Sequence, residues 1–180
     1  MVVSPATSNV SARSTSRLFV VLGTPAPAGG LAVALAGSDP TRVVVPALVT
    51  VAAGSRSAAF TVSTTSVLGT ATVTPSALGL VPSTASVTVV GRVAGLALSA
   101  NPLAVGLSTG ATLTLPEPAA QGGASFVLLS SDPSVATVSP AVVVIPEGAL
   151  SPIGAITVTG VSRGTTLLVA RADGYLPAEA

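Results

Sequence analysis

The chain contains no cysteine, no histidine, no tryptophan and no lysine. Each absence removes a chemistry. Without cysteine there is no disulfide and no thiolate nucleophile. Without histidine, Ser–His catalysis has no general base. Without either, a zinc site loses its usual ligands. Without lysine, no Lys–Asn isopeptide cross-link can form within the chain. Charge is also scarce: charged residues make up 7% of the 180 positions, against about 25% in an average soluble domain. The seven bases are all arginine and lie scattered at Arg13, Arg17, Arg42, Arg56, Arg92, Arg163 and Arg171, and the net charge is +1. No basic stripe exists to displace counterions from a nucleic acid. The aromatics Phe19, Phe60, Phe126 and Tyr175 are too few for a base-stacking platform. The chain is therefore expected to be no enzyme, to need no cofactor and to bind no nucleic acid.

The six acids, Asp39, Glu117, Asp132, Glu147, Asp173 and Glu179, fall in turns and tails. Calcium takes about 6–8 oxygen ligands, usually with several carboxylates. One aspartate per turn does not supply them, so Asp39 and Asp132 are read as capping their own turns and no metal site is assigned. The uncharged stretches at residues 18–38 and 93–115 are interrupted by Pro, Gly, Ser and Asn. Neither is an apolar run of about 20 residues, so no membrane insertion is expected. The start, Met1-Val-Val-Ser-Pro, lacks the regions of a signal peptide. If the protein is exported, its signal lies outside this chain or was removed.

What is present is Val, Ala, Leu and Thr, set between Gly, Pro, Ser and Asp, and it is present twice. SDPTRVVVPALVTVAAGSRSAAFTV from Ser38 parallels SDPSVATVSPAVVVIPEGALSPIGAITV from Ser131. Pro40 and Pro133 are 93 apart, Pro46 and Pro140 are 94 apart, as are Gly54 and Gly148, and Gly69 and Gly164 are 95 apart, as are Gly79 and Gly174. Upstream, Pro25, Pro27 and Gly29-Gly30 are matched to Pro116, Pro118 and Gly122-Gly123. A nearly constant offset of this kind marks a repeated unit. The boundary is placed at Gly91-Arg92, which gives domains over 1–92 and 93–180.

Short β-favouring runs between turn clusters signal a sandwich. Strands are expected near 18–22, 31–36, 42–45, 48–51, 58–63, 70–74 and 86–90 in the first copy. In the second they are expected near 96–99, 112–115, 125–129, 135–138, 142–145, 155–159 and 165–171. Positions apolar in both copies define the inward face: Leu31, Val33 and Leu35 against Ala124, Phe126 and Leu128; Phe60 and Val62 against Ile156 and Val158; Val73 against Leu168. Tyr175 matches Leu80, which suggests packing. Phe60 and Phe126 are read as core rather than as a sugar-stacking surface.

SSDPSVATV at 130–138, followed by GVSRGTTLLVA at 160–170, resembles the bacterial immunoglobulin-like repeats of intimin- and invasin-like adhesins. The first copy carries a weaker version, SDPTRVVV and LGTATVT. The resemblance implies an all-β fold of two tandem immunoglobulin-like β-sandwich domains. It also implies an extracellular or cell-surface location in bacteria, with neighbouring modules of the same kind as partners. This sequence departs from the family in lacking the tryptophan often found in the second strand.

One strand is missing from the second copy. After Gly79 the first continues to a strand at 86–90, whereas after Gly174 the second reaches Ala180. Either the strand lies beyond residue 180 in a longer array, or an identical subunit supplies it. On the second reading Thr165, Thr166, Leu167, Leu168, Val169, Ala170 and Arg171 form a strand-acceptor edge. Residues 2–21 are then the natural donor, and a non-closing contact of that kind builds a filament. The alternative is an adhesive module that binds a glycan or surface protein through the loops at 25–30 and 116–123.

Overall fold

The computed structural model describes residues 1–180 and contains strands and turns with no helix. It divides into two compact units, Met1–Gly91 and Arg92–Ala180.

The first unit has nine strands: β1 (Val2–Ser4), β2 (Thr7–Ser11), β3 (Thr15–Val21), β4 (Leu31–Gly37), β5 (Val43–Val44), β6 (Leu48–Val51), β7 (Ser57–Thr64), β8 (Gly69–Ser76) and β9 (Ala85–Val90). They form a sheet in the order β1-β3-β7-β5 and another in the order β2-β9-β8-β4-β6. Burial alternates along the long strands, as a half-buried sheet requires. Leu18 and Val20 of β3 point inward, as do Val33 and Leu35 of β4, Phe60 and Val62 of β7, and Val87 and Val89 of β9. All belong to one core. The pairing of the first, second and fifth main strands opposite that of the third, sixth and last defines the immunoglobulin-like sandwich. The segment after β4 departs from the usual order, because β5 joins β7 before β6 returns to β4.

Eight strands build the second unit: β10 (Gly95–Leu98), β11 (Ser108–Thr114), β12 (Ala124–Ser130), β13 (Ala136–Ser139), β14 (Val142–Ile145), β15 (Ile156–Gly160), β16 (Leu168–Arg171) and β17 (Ala178–Glu179). Their sheets run β10-β11-β15-β13 and β14-β12-β16-β17. Registers coincide between the units. Leu18 opposes Phe60 as Ala111 opposes Ile156, and Val43 opposes Thr64 as Ala136 opposes Gly160. Phe126 is fully buried, and its ring meets that of Tyr175 at 5.0 Å between centroids, tilted by 59°. Tyr175 is buried in this way, whereas its counterpart Leu80 is partly exposed.

Four sequence expectations need correction. First, β1 and β2 were not anticipated. They bury only Val3 and Val10, so it is backbone pairing with β3 and β9 that makes them strands. Second, β11 begins at Ser108, four residues before the expected start at Thr112, because Ser108 to Ala111 pair with β15. Third, the proline match upstream of the repeat is two residues out of register. Ala26 donates to Ser55 and accepts from Gly54, as Ala119 donates to Ala149 and accepts from Gly148. That places Pro25 opposite Pro118 rather than Pro116. Fourth, the outer edge of β16 is not bare, because residues 178–180 run beside it in the place of residues 83–85, up to the first residue of β9. Ala178 and Glu179 pair with Ala170 and Val169.

Candidate functional site

Asp39 and Asp132 sit in matching turns, and the local chemistry is the same in both. The Asp39 carboxylate accepts from the Thr41 amide at 2.9 Å and from its hydroxyl at 2.5 Å. The Asp132 carboxylate accepts from the Ser134 amide at 3.0 Å and from its hydroxyl at 2.6 Å. Both carboxyls are thereby held below the ordinary aspartate value. For Asp39 the Thr41 hydroxyl contributes most, and the Thr41 amide and Arg42 add to it. For Asp132 the Ser134 hydroxyl leads, followed by the Ser134 amide. Arg42 also ion-pairs with Asp39 and donates to the Leu68 carbonyl at 3.0 Å. These oxygens serve the turn, and no three acids gather anywhere in the chain.

The serine before each aspartate ties the turn to the sheet. Ser38 donates its amide to the Thr72 carbonyl and accepts from the Thr72 amide, both at 2.9 Å. Ser131 does the same to Leu167, at 2.8 and 3.0 Å. Leu167 therefore occupies the place of Thr72, and this fixes the register of the expected acceptor edge.

That edge is only partly open. Leu168, Val169 and Ala170 were expected to be unpaired on the outer side, but they face residues 178–180. Val169 and Ala170 pair with β17, and Leu168 exchanges hydrogen bonds with Ala180 at 2.9 and 3.0 Å. Arg171 ends β16 opposite Val127 of β12. What remains is Thr165, Thr166 and Leu167, which lie outside any strand. The Thr166 hydroxyl accepts from the Asp132 amide at 2.9 Å and pairs with the Ser130 hydroxyl at 2.9 Å. No hydrogen bond is made by the backbone of Thr165 or Thr166. In the first unit the same positions, Thr70 and Ala71, pair with Thr88 and Val87 of β9.

The donor expected at residues 2–21 is already engaged, since those residues supply β1, β2 and β3 of their own sandwich. The loops proposed for ligand binding differ from each other. Residues 25–27 line a hollow of about 210 Å³ together with Leu22, Leu31, Leu78 and Leu80. In the second loop the Gly122 amide donates to the Glu147 carboxylate at 3.1 Å. No helix is long and apolar enough to cross a membrane.

No protein-family profile matches the chain, and no curated protein does. Solved structures are similar in outline. The D0-D1 domain of intimin aligns over 99% of this chain and 94% of its own, at 13% identity and a TM-score of 0.39. The Yersinia pseudotuberculosis adhesin InvE aligns over 99% of this chain at 16% identity and a TM-score of 0.43, and this chain spans 56% of its length. Domains 5-6 of the S-layer protein SbsC align over 98% of this chain and 94% of that one, at 13% identity and a TM-score of 0.37. At these scores the likenesses assign neither a family nor a function.

Proposed function

We propose that this chain is a structural module of an extracellular bacterial surface protein or filament, and that identical subunits join by strand complementation. Three features support the reading. The residue set carries no catalytic or metal chemistry. The two units repeat one sandwich, and the repeat motifs resemble those of adhesin stalks. The carrying observation is the edge at residues 164–166, where backbone groups that are paired in the first unit stand unpaired in the second. An unpaired edge beside an apolar core is a template for strand addition.

Light scattering across a concentration series, with electron microscopy of the same samples, tests the assembly. Growth into linear oligomers with rising concentration is expected. Monodisperse single chains at millimolar concentration would refute assembly between identical subunits.

A further inference from the structure

β14 stands at the opposite edge of its sheet from β17, and only one of its two sides is paired. The Leu128 amide donates to the Ala141 carbonyl at 2.8 Å. In an antiparallel ladder the hydrogen-bonded pairs recur at every second residue. Val143 and Ile145 therefore turn their backbone groups toward β12, while Val142 and Val144 turn theirs to the open side. No further backbone hydrogen bond reaches either valine. Their side chains lie on the outer face, 50% and 54% exposed, beside Val127 and Leu129 of β12 at 42% and 46%.

Exposed edge strands are ordinarily guarded by charged side chains, bulges or proline. β14 itself carries no charged or polar side chain, since it reads Val-Val-Val-Ile. Its guards are the prolines on its two flanks, and they make the segment symmetric. Pro140-Ala-Val-Val-Val-Ile-Pro146 reads nearly the same in both directions about Val143. The first unit lacks this symmetry, because the counterpart there is Pro46-Ala-Leu-Val-Thr-Val-Ala52. A strand edge that is symmetric about its middle suits a two-fold axis, at which one surface meets its own copy.

We infer that β14 pairs antiparallel with β14 of a second copy of this chain, about a two-fold axis at Val143. Val142 of one copy then faces Val144 of the other, and the two exchange N–H···O=C bonds on each side of the axis. Ala141 faces Ile145, a small side chain against a large one. The prolines fix the register. A slip of two residues in either direction sets Pro140 or Pro146 opposite a valine, and proline has no amide to donate. A slip of one residue turns the valines to the wrong face. Charge does not oppose the contact. Glu147 comes to face Ser139 of the other copy, and its carboxylate is already held by the Gly122 amide at 3.1 Å. Four strand residues a side are far fewer than the about 20–30 of a standard interface, so the dimer is weak and forms at high concentration. It closes at two copies and uses none of residues 164–166, and so it stands apart from strand complementation.

Sedimentation equilibrium of the 180-residue chain, carried up to about 1 mM where weak contacts are populated, reads the dimer. Val144→Pro removes the outward amide without touching the ladder to β12. It weakens the dimer by about tenfold or more, as the loss of one hydrogen bond on each side of the axis requires. Thr50→Pro, the same change in the first unit, leaves the dimer as it was. Tyr175 fluorescence shows whether the second unit stays folded. The chain has no cysteine, so single introduced thiols report the register. Val142→Cys mixed with Val144→Cys cross-links under air oxidation, because facing Cα atoms stand about 5.5 Å apart. Either variant alone cross-links far more slowly, because its own copies meet on the diagonal at about 7–8 Å. Both positions are exposed, so these variants carry the test even if Val144→Pro does not fold. Three results overturn the inference: single chains at the highest concentration, a folded Val144→Pro that dimerises like the unaltered chain, or a mixture that cross-links no faster than its components. Linear oligomers that persist in Val144→Pro, without cross-linking of the cysteine mixture, keep strand complementation and remove this contact.

Discussion

Phe126 and Val33 occupy the same position in the two sandwiches, and both are fully buried. Replacing Phe126 with alanine removes a ring that contacts Tyr175 and opens a cavity in a core that is poor in other aromatics. Such truncations cost about 3–5 kcal/mol. A unit of 89 residues, Arg92–Ala180, has about 4–13 kcal/mol of stability in total. Phe126→Ala should therefore remove much of the second unit's stability or unfold it. Val33→Ala costs less, about 2–3 kcal/mol, from two lost methyls and a smaller void. The chain has one tyrosine and no tryptophan, so Tyr175 fluorescence reports on the second unit alone, while far-UV circular dichroism reports on both. In urea titrations, Phe126→Ala should shift the fluorescence transition strongly. Val33→Ala should leave it in place and shift only the rest of the dichroism change. If Val33→Ala displaces the tyrosine transition as far as the dichroism, the units are not independent cores. If Phe126→Ala shifts it by less than about 1 kcal/mol, the packing argument fails.

Three further outcomes are expected. Asp39 and Asp132 are held below the ordinary value of 3.8 in the folded chain. Their contribution to stability is therefore complete above that unfolded value and is lost as pH falls through the lower folded values. Urea midpoints measured from about pH 5 to about pH 2 should fall less steeply in Asp39→Asn/Asp132→Asn than in the unaltered chain, and an unchanged slope would remove the capping role. Gly123 and Gly148 both have positive φ, at 72° and 75°, but a Cβ on Gly123 would sit 2.6 Å from the Ile145 carbonyl oxygen whereas Gly148 has open space around it. Gly148→Ala should cost about 1 kcal/mol from backbone strain alone, and Gly123→Ala clearly more, as read from thermal unfolding. Thr64 is buried, and its hydroxyl accepts from the Ser14 amide at 3.0 Å and reaches the carbonyls of Ser11 and Ser14 at 2.7 and 3.0 Å. Thr64→Val strands that amide and should cost about 1–3 kcal/mol, whereas Thr64→Ser should be close to neutral.

The central strands were legible because their side chains alternate. Val33 and Leu35, Phe60 and Val62, Phe126 and Leu128, and Ile156 and Val158 all turned inward as their two-residue spacing implies. The Ser-Asp-Pro turns were legible for a local reason, since an aspartate folds back on the amide two residues later whatever surrounds it. Where pairing alone makes a strand, the pattern was silent. β2 reads Thr-Ser-Asn-Val-Ser and has one inward side chain. Only its parallel ladder with β9 reveals it.

The same dependence explains the error at 165–171. Thr-Thr-Leu-Leu-Val-Ala-Arg has β-favouring residues throughout, so propensity predicts one strand across it. In the structure the strand stops where its outer partner stops. Leu168 to Ala170 have residues 178–180 beside them. Thr165 and Thr166 have no such neighbour, and the Thr166 hydroxyl turns to Ser130 and Asp132 instead. The segment between β10 and β11 behaves alike: residues 103–106 form no ladder, and the Leu107 amide closes a turn onto the Ala104 carbonyl at 3.1 Å. In the first unit β9 pairs with β8 and β2 at once. The β propensity of Thr165 and Thr166 is realised only beside a partner strand, as at Thr70 and Ala71, and sequence read one element at a time cannot express it.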